Sequence, residues 1–334
     1  MGHLYSICPG AVKSPACRQF RRMIGCLVFQ LQIKTSHWYN NKMMIKNLLI
    51  SMRPKQWVKN VFIFAPMIFS LHMFQPDFIK RSLLAFFLFS LITGGIYIFN
   101  DILDREKDRQ HPEKKNRPIA AGRLSIASAG IFAAALLTGV LLLTASINRE
   151  FFYISLFYVI LNILYSMILK SIVIIDIMVV ALGFVLRLMV GGAVNRIVLY
   201  PWILICTFLL AIFLALIKRR QELLKIQSIL PEQLTRKTLK SYNVSLLDQM
   251  ISIATATTLI SYIMYVLSPD VQQKFHTTKL FYTVPFVIFG IFRYLFLSYA
   301  MGEGESPSEI IYTDLPFTLS IIIWVSVFIL LVNH

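Results

Sequence analysis

The chain has little charge for its length, and little of that charge is negative. Charged residues fill 15% of 334 positions against 57% hydrophobic ones, and the mean hydropathy is +0.68. That is too little polar surface to cover soluble domains of this size. Lipid is therefore the expected solvent for most of the chain, with no separate soluble domain. Cysteines are few, and Cys8, Cys17, Cys26 and Cys206 make no metal-ligand cluster, which argues against both a zinc centre and a disulfide framework. The alternation of apolar and polar residues that a membrane β-barrel needs is also missing. Lys and Arg outnumber Asp and Glu 33 to 16. They fall in short connectors between apolar runs, where the positive-inside rule puts them, so no nucleic-acid partner is expected.

What is abundant is apolar sequence in runs close to the length that crosses a hydrocarbon core. Nine spans are expected, at about 60–75, 82–99, 124–146, 151–169, 172–194, 199–217, 249–268, 280–300 and 315–332. All should be helices, because a backbone facing lipid must satisfy its own hydrogen bonds. The fold class is thus an all-α polytopic bundle of about nine transmembrane helices. The connectors after the second and sixth spans are the richest in cations, Arg105 to Arg123 and Lys218 to Lys240. Arg53, Lys55, Lys59 and Lys170 share their side, which places that face in the cytoplasm and the C-terminus outside. The connector 301–314 runs against this pattern, with Glu303, Glu305, Glu309 and Asp314 and no Lys or Arg. Residues 1–43 surround a short apolar run, Ile24 to Phe29, too short for a secretory signal core. They read as an N-terminal extension, with Met43 or Met44 as an alternative start, ahead of a membrane domain at 44–334.

Chemistry concentrates at the cytoplasmic end of the second span, in Asn100-Asp101-Ile-Leu-Asp104-Arg-Glu-Lys-Asp108. On a continuous helix, Asp101, Asp104 and Asp108 fall within an arc of roughly 60°. Like charges so placed destabilise a helix unless a cation sits among them, and hard oxygen donors suit Mg2+ shared with substrate phosphates. The alternative is a solvated helix end whose acids pair with Arg105, Lys107 and Arg109. The following segment, from His111-Pro112 to Gly122-Arg123, fixes cations in a shaped loop. Lys114 and Arg117 could clamp a diphosphate there, or simply hold the loop in the cytoplasm. Lys170 has the same two readings. Asp176 and Arg187 are costly to bury in a membrane and are functional candidates. They stand eleven residues apart, about 16 Å along a helix, so each needs a partner elsewhere.

The NDxxDxxxD motif followed by HPxKxxRPIAxG resembles the first signature of the UbiA superfamily of intramembrane transferases. Arg53-Pro54-Lys55-Gln56-Trp57-Val58-Lys59-Asn60, Ala181 to Arg187 with Gly191-Gly192, and Gly290 to Tyr294 are similar to its decaprenyl-phosphate phosphoribosyltransferase branch. The resemblance runs from about Met44 to His334 and implies a nine-helix fold. Prenyl-transferring members carry a second aspartate-rich motif after the sixth span. Here that place reads Lys218-Arg219-Arg220-Gln221-Glu222, a poor second magnesium site but a good phosphate seat.

The resemblance implies transfer of a 5-phosphoribosyl group from phosphoribosyl diphosphate to a polyprenyl phosphate, with inversion at C1 and release of diphosphate. Asp101, Asp104 and Asp108 would hold Mg2+ and diphosphate, and Asn100 would orient a phosphate or water. Lys55, Lys59, Asn60, Lys114, Arg117, Lys170, Arg187, Lys218, Arg219, Glu222, Arg236 and Tyr242 are the candidate substrate-binding residues, Arg236 and Tyr242 from a family-like pattern in the loop. The lipid tail is expected along the first and last spans or sideways in the bilayer, and homo-oligomerisation is left open. Two alternatives stand: a prenyltransferase with an aromatic acceptor, and a transporter or lipid-binding protein using the aspartates as a cation path.

Overall fold

The computed structural model describes residues 43–229, 242–301, 310 and 313–333. These are helical, with no strand among them. Eight helices are long and apolar enough to cross a membrane. They are α1 (Pro76–Leu103), α2 (Ile126–Ile147), α3 (Arg149–Met167), α4 (Ile175–Asn195), α5 (Pro201–Ile229), α6 (Val244–Leu267), α7 (Val284–Ala300) and α8 (Leu315–Asn333).

Short polar residues set several boundaries. Ser125 accepts the Ser128 N–H at 3.1 Å, Asn148 the Glu150 N–H at 2.7 Å and Asn243 the Leu246 N–H at 2.6 Å. Each satisfies a donor that the first helical turn leaves open.

The place of the expected first span is taken by a 3₁₀ helix, Pro54–Phe64, which runs into one short α-helix, Ala65–Phe69. A 3₁₀ run of this length is uncommon, and packing against α4 accounts for it. A Cβ built on Gly191 would stand 2.0 Å from the Ile63 carbonyl oxygen, so α4 and the 3₁₀ backbone touch directly. Only a residue without a side chain permits that approach.

α1 and α4 are the most enclosed of the long helices, with 61% and 72% of their apolar windows buried, against 11% for α8. Ile63, Phe89, Ile92, Phe151, Leu186 and Val190 knit the first helices into one core, and Ile177, Phe213, Leu216, Leu247 and Tyr294 knit α4 to α7 into another. α4 belongs to both. The helix ends around residues 101, 170, 219 and 248 meet on one face of the bundle through the ion pairs described next.

Candidate active site

The aspartates do not make the single arc that a continuous helix would give. α1 ends at Leu103, Asp104 adopts φ −92° and ψ 6°, and a separate short helix, Arg105–Gln110, follows. Asp101 and Asp108 are buried, while the side chain of Asp104 is 32% exposed. Cations from distant segments take each carboxylate. Arg53 bonds Asp101, and one Arg117 nitrogen reaches Asp108 at 2.5 Å and Asp101 at 3.3 Å. Lys170 donates to Asp104 at 2.7 Å.

Among the described residues no group of three carboxylate, histidine or cysteine side chains is arranged to hold a metal ion. The neighbouring cations that sequence spacing offered, Arg105, Lys107 and Arg109, pair with none of the three aspartates in the ion pairs found; Arg105 and Arg109 lie against Glu106 instead. Asp101 and Asp108 nevertheless converge on one cationic nitrogen, a donor set that fits a hard divalent ion.

Arg53 was visible in sequence only as part of a motif. It has φ 51° and ψ 63°, a left-handed conformation immediately before Pro54. For a residue other than glycine this costs about 1–2 kcal/mol, and such strain tends to persist at functional sites. The guanidinium lies 4.9 Å from the Tyr97 ring centroid while it bonds Asp101.

The basic loop is folded, not loose. Ile119 and Ala120 are buried, Arg109 donates to the Ala120 carbonyl at 3.1 Å, and Gly122 has φ 73°, closing the turn. This fixes Arg117 over the aspartates. Lys114 is half-buried in the same loop. His111 accepts the backbone N–H groups of Glu113 and Lys114 at 3.3 and 3.4 Å. Burial and then the Lys114 charge hold its pKa below the usual imidazole range.

A polar stripe runs inward along α1 from the aspartates, through Tyr97, Thr93 and Ser90. Asn60 donates to Ser90 at 2.9 Å and to Thr93 at 3.3 Å, and accepts from Arg187 at 2.8 Å. Arg187 also donates to Tyr158 at 2.8 Å and to the Gly183 carbonyl at 2.7 Å. It is buried, and its partners are all neutral. The signal for this network was the 3- and 4-residue spacing of polar residues inside an apolar span.

Lys59, outside the eight spans, is half-buried on the 3₁₀ helix. The charges that act on it are Lys218, Arg187 and Arg53, all positive. Burial first, and then those charges, lower its pKa to about 8. Lys218 is exposed within α5, and neither lysine is ion-paired among the described residues. Lys55 is exposed on the same 3₁₀ helix. Asn100 is contacted by Ser166.

Arg219, expected to hold phosphate, is instead buried against Asp176 at 3.0 Å and Glu222 at 2.6 Å. Tyr242 is also turned to the protein. Its hydroxyl accepts the Ile174 N–H at 2.7 Å and lies 3.2 Å from Asp176. Burial raises its pKa. Ile174 has φ 72°, rare for a β-branched residue, so Tyr242 clamps the strained turn that opens α4. Arg220 completes this block with Asp248 at 2.6 Å, while its guanidinium covers the Tyr299 ring at 3.9 Å. Asp176 and Arg187 thus find their partners on other helices. Arg236 and the acidic stretch 303–309 lie outside the described residues.

Deeper in the bundle lies an apolar cavity of about 450 Å³. It is lined by Phe62, Leu188, Leu210, Thr258, Tyr262 and Trp324 among others, from the 3₁₀ helix and α4 to α8.

Residues 61–303 match the UbiA prenyltransferase family. The chain is 31% identical over 303 residues to a decaprenyl-phosphate phosphoribosyltransferase of Corynebacterium glutamicum, covering 85% of this chain and 86% of that protein. It is 28% identical to the Mycolicibacterium smegmatis protein of the same name, over 85% and 92%. The fold resembles that of a UbiA homologue from Archaeoglobus fulgidus bound to DMAPP and Mg2+, with a TM-score of 0.65 and 19% identity over 86% of this chain and 99% of that one. With its helical membrane bundle and its aspartate cluster, the chain belongs to the UbiA prenyltransferase family.

Proposed function

We propose that the protein transfers a 5-phosphoribosyl group from phosphoribosyl diphosphate to the phosphate of a polyprenyl phosphate. The relatives of that name support this over most of the chain. The observation that carries it is the segment Lys218 to Glu222 of α5. A transferase acting on a prenyl diphosphate would use a second set of carboxylates there. In this chain Asp176 and Glu222 are both engaged by Arg219, and Asp248 by Arg220. Beside them, Lys218 is exposed and has no ion pair among the described residues, which leaves it open to a ligand.

Asp101 and Asp108, with Asn100 beside them, are the residues that would hold Mg2+. Bound there, the ion neutralises charge on the departing diphosphate. Arg117 and Arg53 already face these carboxylates, as Lys170 faces Asp104, and they would meet the diphosphate oxygens there, where a guanidinium offers two parallel donors. The acceptor phosphate is anionic and needs no strong base. Catalysis rests on positioning and on cations that stabilise the leaving group while positive charge develops at C1. Attack from the opposite face inverts that carbon. The apolar cavity accommodates the part of the lipid tail nearest the phosphate, and its lining from the 3₁₀ helix and α8 matches the expected path along the first and last spans. The positive-inside rule puts the site in the cytoplasm.

Membranes containing the protein should convert labelled phosphoribosyl diphosphate and polyprenyl phosphate to a labelled lipid, and EDTA should stop the reaction. Prenylation of a hydroxybenzoate-type acceptor, with no labelled lipid, would replace this reading by the prenyltransferase one.

A further inference from the structure

The cations of the site fall into two groups. Arg53, Arg117, Lys170 and Arg219 are each bonded to a carboxylate. Among the described residues Lys59 and Lys218 have no such bond, and a half-buried ammonium beside the like charges of Lys218, Arg187 and Arg53 is an unfavourable arrangement. Arg53 and Arg187 add to the positive field at Lys59. Arg187 itself is buried and bonded only to neutral groups. A concentration of positive charge without a protein counter-ion is the electrostatic form of an anion seat.

The position of this seat distinguishes the two substrates. Phe62 is three residues from Lys59 on the same helix, and Leu188 follows Arg187. Both line the apolar cavity. Along that helix Lys59 comes between Phe62 of the cavity wall and Arg53, whose guanidinium bonds Asp101.

We infer that Lys59 and Lys218 seat the phosphate of the lipid acceptor at the mouth of the apolar cavity, leaving Asp101, Asp108 and Arg117 to the donor's diphosphate. The assignment rests on the transfer reaction proposed above. In that reaction an oxygen of the seated phosphate forms the bond to C1 of the ribose as the C1–O bond to diphosphate breaks. The diphosphate leaves with the bonding pair, and no proton moves. A mono-alkyl phosphate carries between one and two negative charges near neutrality, which suits two ammonium groups. The Arg187 network holds Asn60, next in sequence to Lys59, and so fixes the helix that carries the seat.

Two measurements on the purified full-length protein test this. Binding of farnesyl phosphate without donor is followed by tryptophan fluorescence, Trp324 being a cavity residue, with farnesol as the tail-only probe. Lys59→Met and Lys218→Met should each weaken farnesyl phosphate about tenfold or more, the loss of one charge-assisted contact, and leave farnesol binding intact. Lys59→Arg should retain most of the affinity. Steady-state kinetics should show a raised KM for the lipid phosphate and an unchanged KM for phosphoribosyl diphosphate.

Unaltered farnesyl phosphate affinity in both methionine variants overturns the seat, as does a raised KM confined to the donor. Loss of farnesol binding as well would mean that a variant had lost the fold, and Lys59→Arg then decides: the seat is refuted if that variant, still binding farnesol, has lost farnesyl phosphate. A wild-type protein that transfers no ribosyl group, yet binds farnesyl phosphate through these lysines, refutes the reaction and supports the seat.

Discussion

Gly191→Ala should disable the protein through the helix that carries Lys59 and Asn60, with no loss of a functional group. The new methyl would lie 2.0 Å from the Ile63 carbonyl oxygen, where separations under 3.0 Å essentially do not occur, so α4 and the 3₁₀ helix must part by about 1 Å. Backbone closes this contact on one side, so no side chain can swing aside. The Arg187 to Asn60 bond joins the same two elements at 2.8 Å. Lengthened by that amount it passes beyond hydrogen-bond range. Overpacking costs about 1–3 kcal/mol and an unsatisfied buried group about 1–3 kcal/mol, so the sum is about 2–6 kcal/mol. Thermal unfolding in detergent measures it, and the KM for the lipid phosphate should rise in whatever fraction stays folded. Gly139→Ala is the control, since nothing lies within 4 Å of its added Cβ. It should be neutral or stabilise by up to about 1 kcal/mol through helix propensity. Equal unfolding midpoints for Gly191→Ala and wild type would refute the backbone contact and the account of the 3₁₀ helix built on it.

Asp101→Asn and Asp108→Asn should each raise the Mg2+ concentration for half-maximal activity at least about tenfold, while Asp104→Asn, whose carboxylate is held by Lys170, moves it less; a larger effect at Asp104 in a metal titration would contradict this ranking. Asp176→Ala strips the buried Arg219 of one carboxylate and Tyr242 of its acceptor, and should destabilise by about 3–5 kcal/mol in a denaturation experiment, whereas an unchanged midpoint would show that Glu222 alone suffices. Lys59, lowered to about 8 by burial and then by Lys218, Arg187 and Arg53, should make lipid-phosphate affinity fall as pH rises through about 8, because only the charged form attracts the anion. For stability the sign is opposite. The unfolded chain holds this proton up to about 10.5, so unfolding free energy should rise between about pH 8 and 10.5. Lys59→Arg should carry the alkaline loss of affinity to higher pH, and a profile identical to wild type would exclude Lys59 as its source.

The membrane helices were legible because apolar runs and their polar caps are local. α2, expected at 124–146, is found at Ile126–Ile147, and Ser125, Asn148 and Asn243 cap helices as their chemistry suggests. The first span, expected at 60–75, is built of short helices where the chain packs directly on Gly191, more than a hundred residues away. The break after Leu103 was hidden for a related reason. Helical spacing assumes a helix continuing through Asp104, and neither proline nor glycine marks the break there. The partners of the acids were out of reach altogether. Arg53 and Asp101 are 48 residues apart, Lys170 and Asp104 are 66 apart, and Arg219 and Asp176 are 43 apart. Sequence identifies which charges are expensive to bury, but the topology of the bundle decides which of them meet.

Those pairings change what an aspartate cluster means electrically. Asp101, Asp104 and Asp108 sit against Arg53, Arg117 and Lys170, so the acids that dominate the motif contribute no net negative field. Among the described residues, Lys59, Lys218 and Arg187 have no carboxylate partner. The region around Lys59 is therefore positive before any metal binds, and a divalent ion between Asp101 and Asp108 would make it more so. Two phosphorylated substrates repel each other wherever they meet, and bringing a lipid phosphate to a diphosphate ester needs cations on both sides of the reacting carbon. Arginines drawn onto the aspartates occupy one side, and unpaired lysines the other. An arginine bonded to a carboxylate is held in place yet can share its remaining donors with a phosphate. On this account the aspartates do more than await a metal: they store the guanidinium groups at the position where the diphosphate arrives.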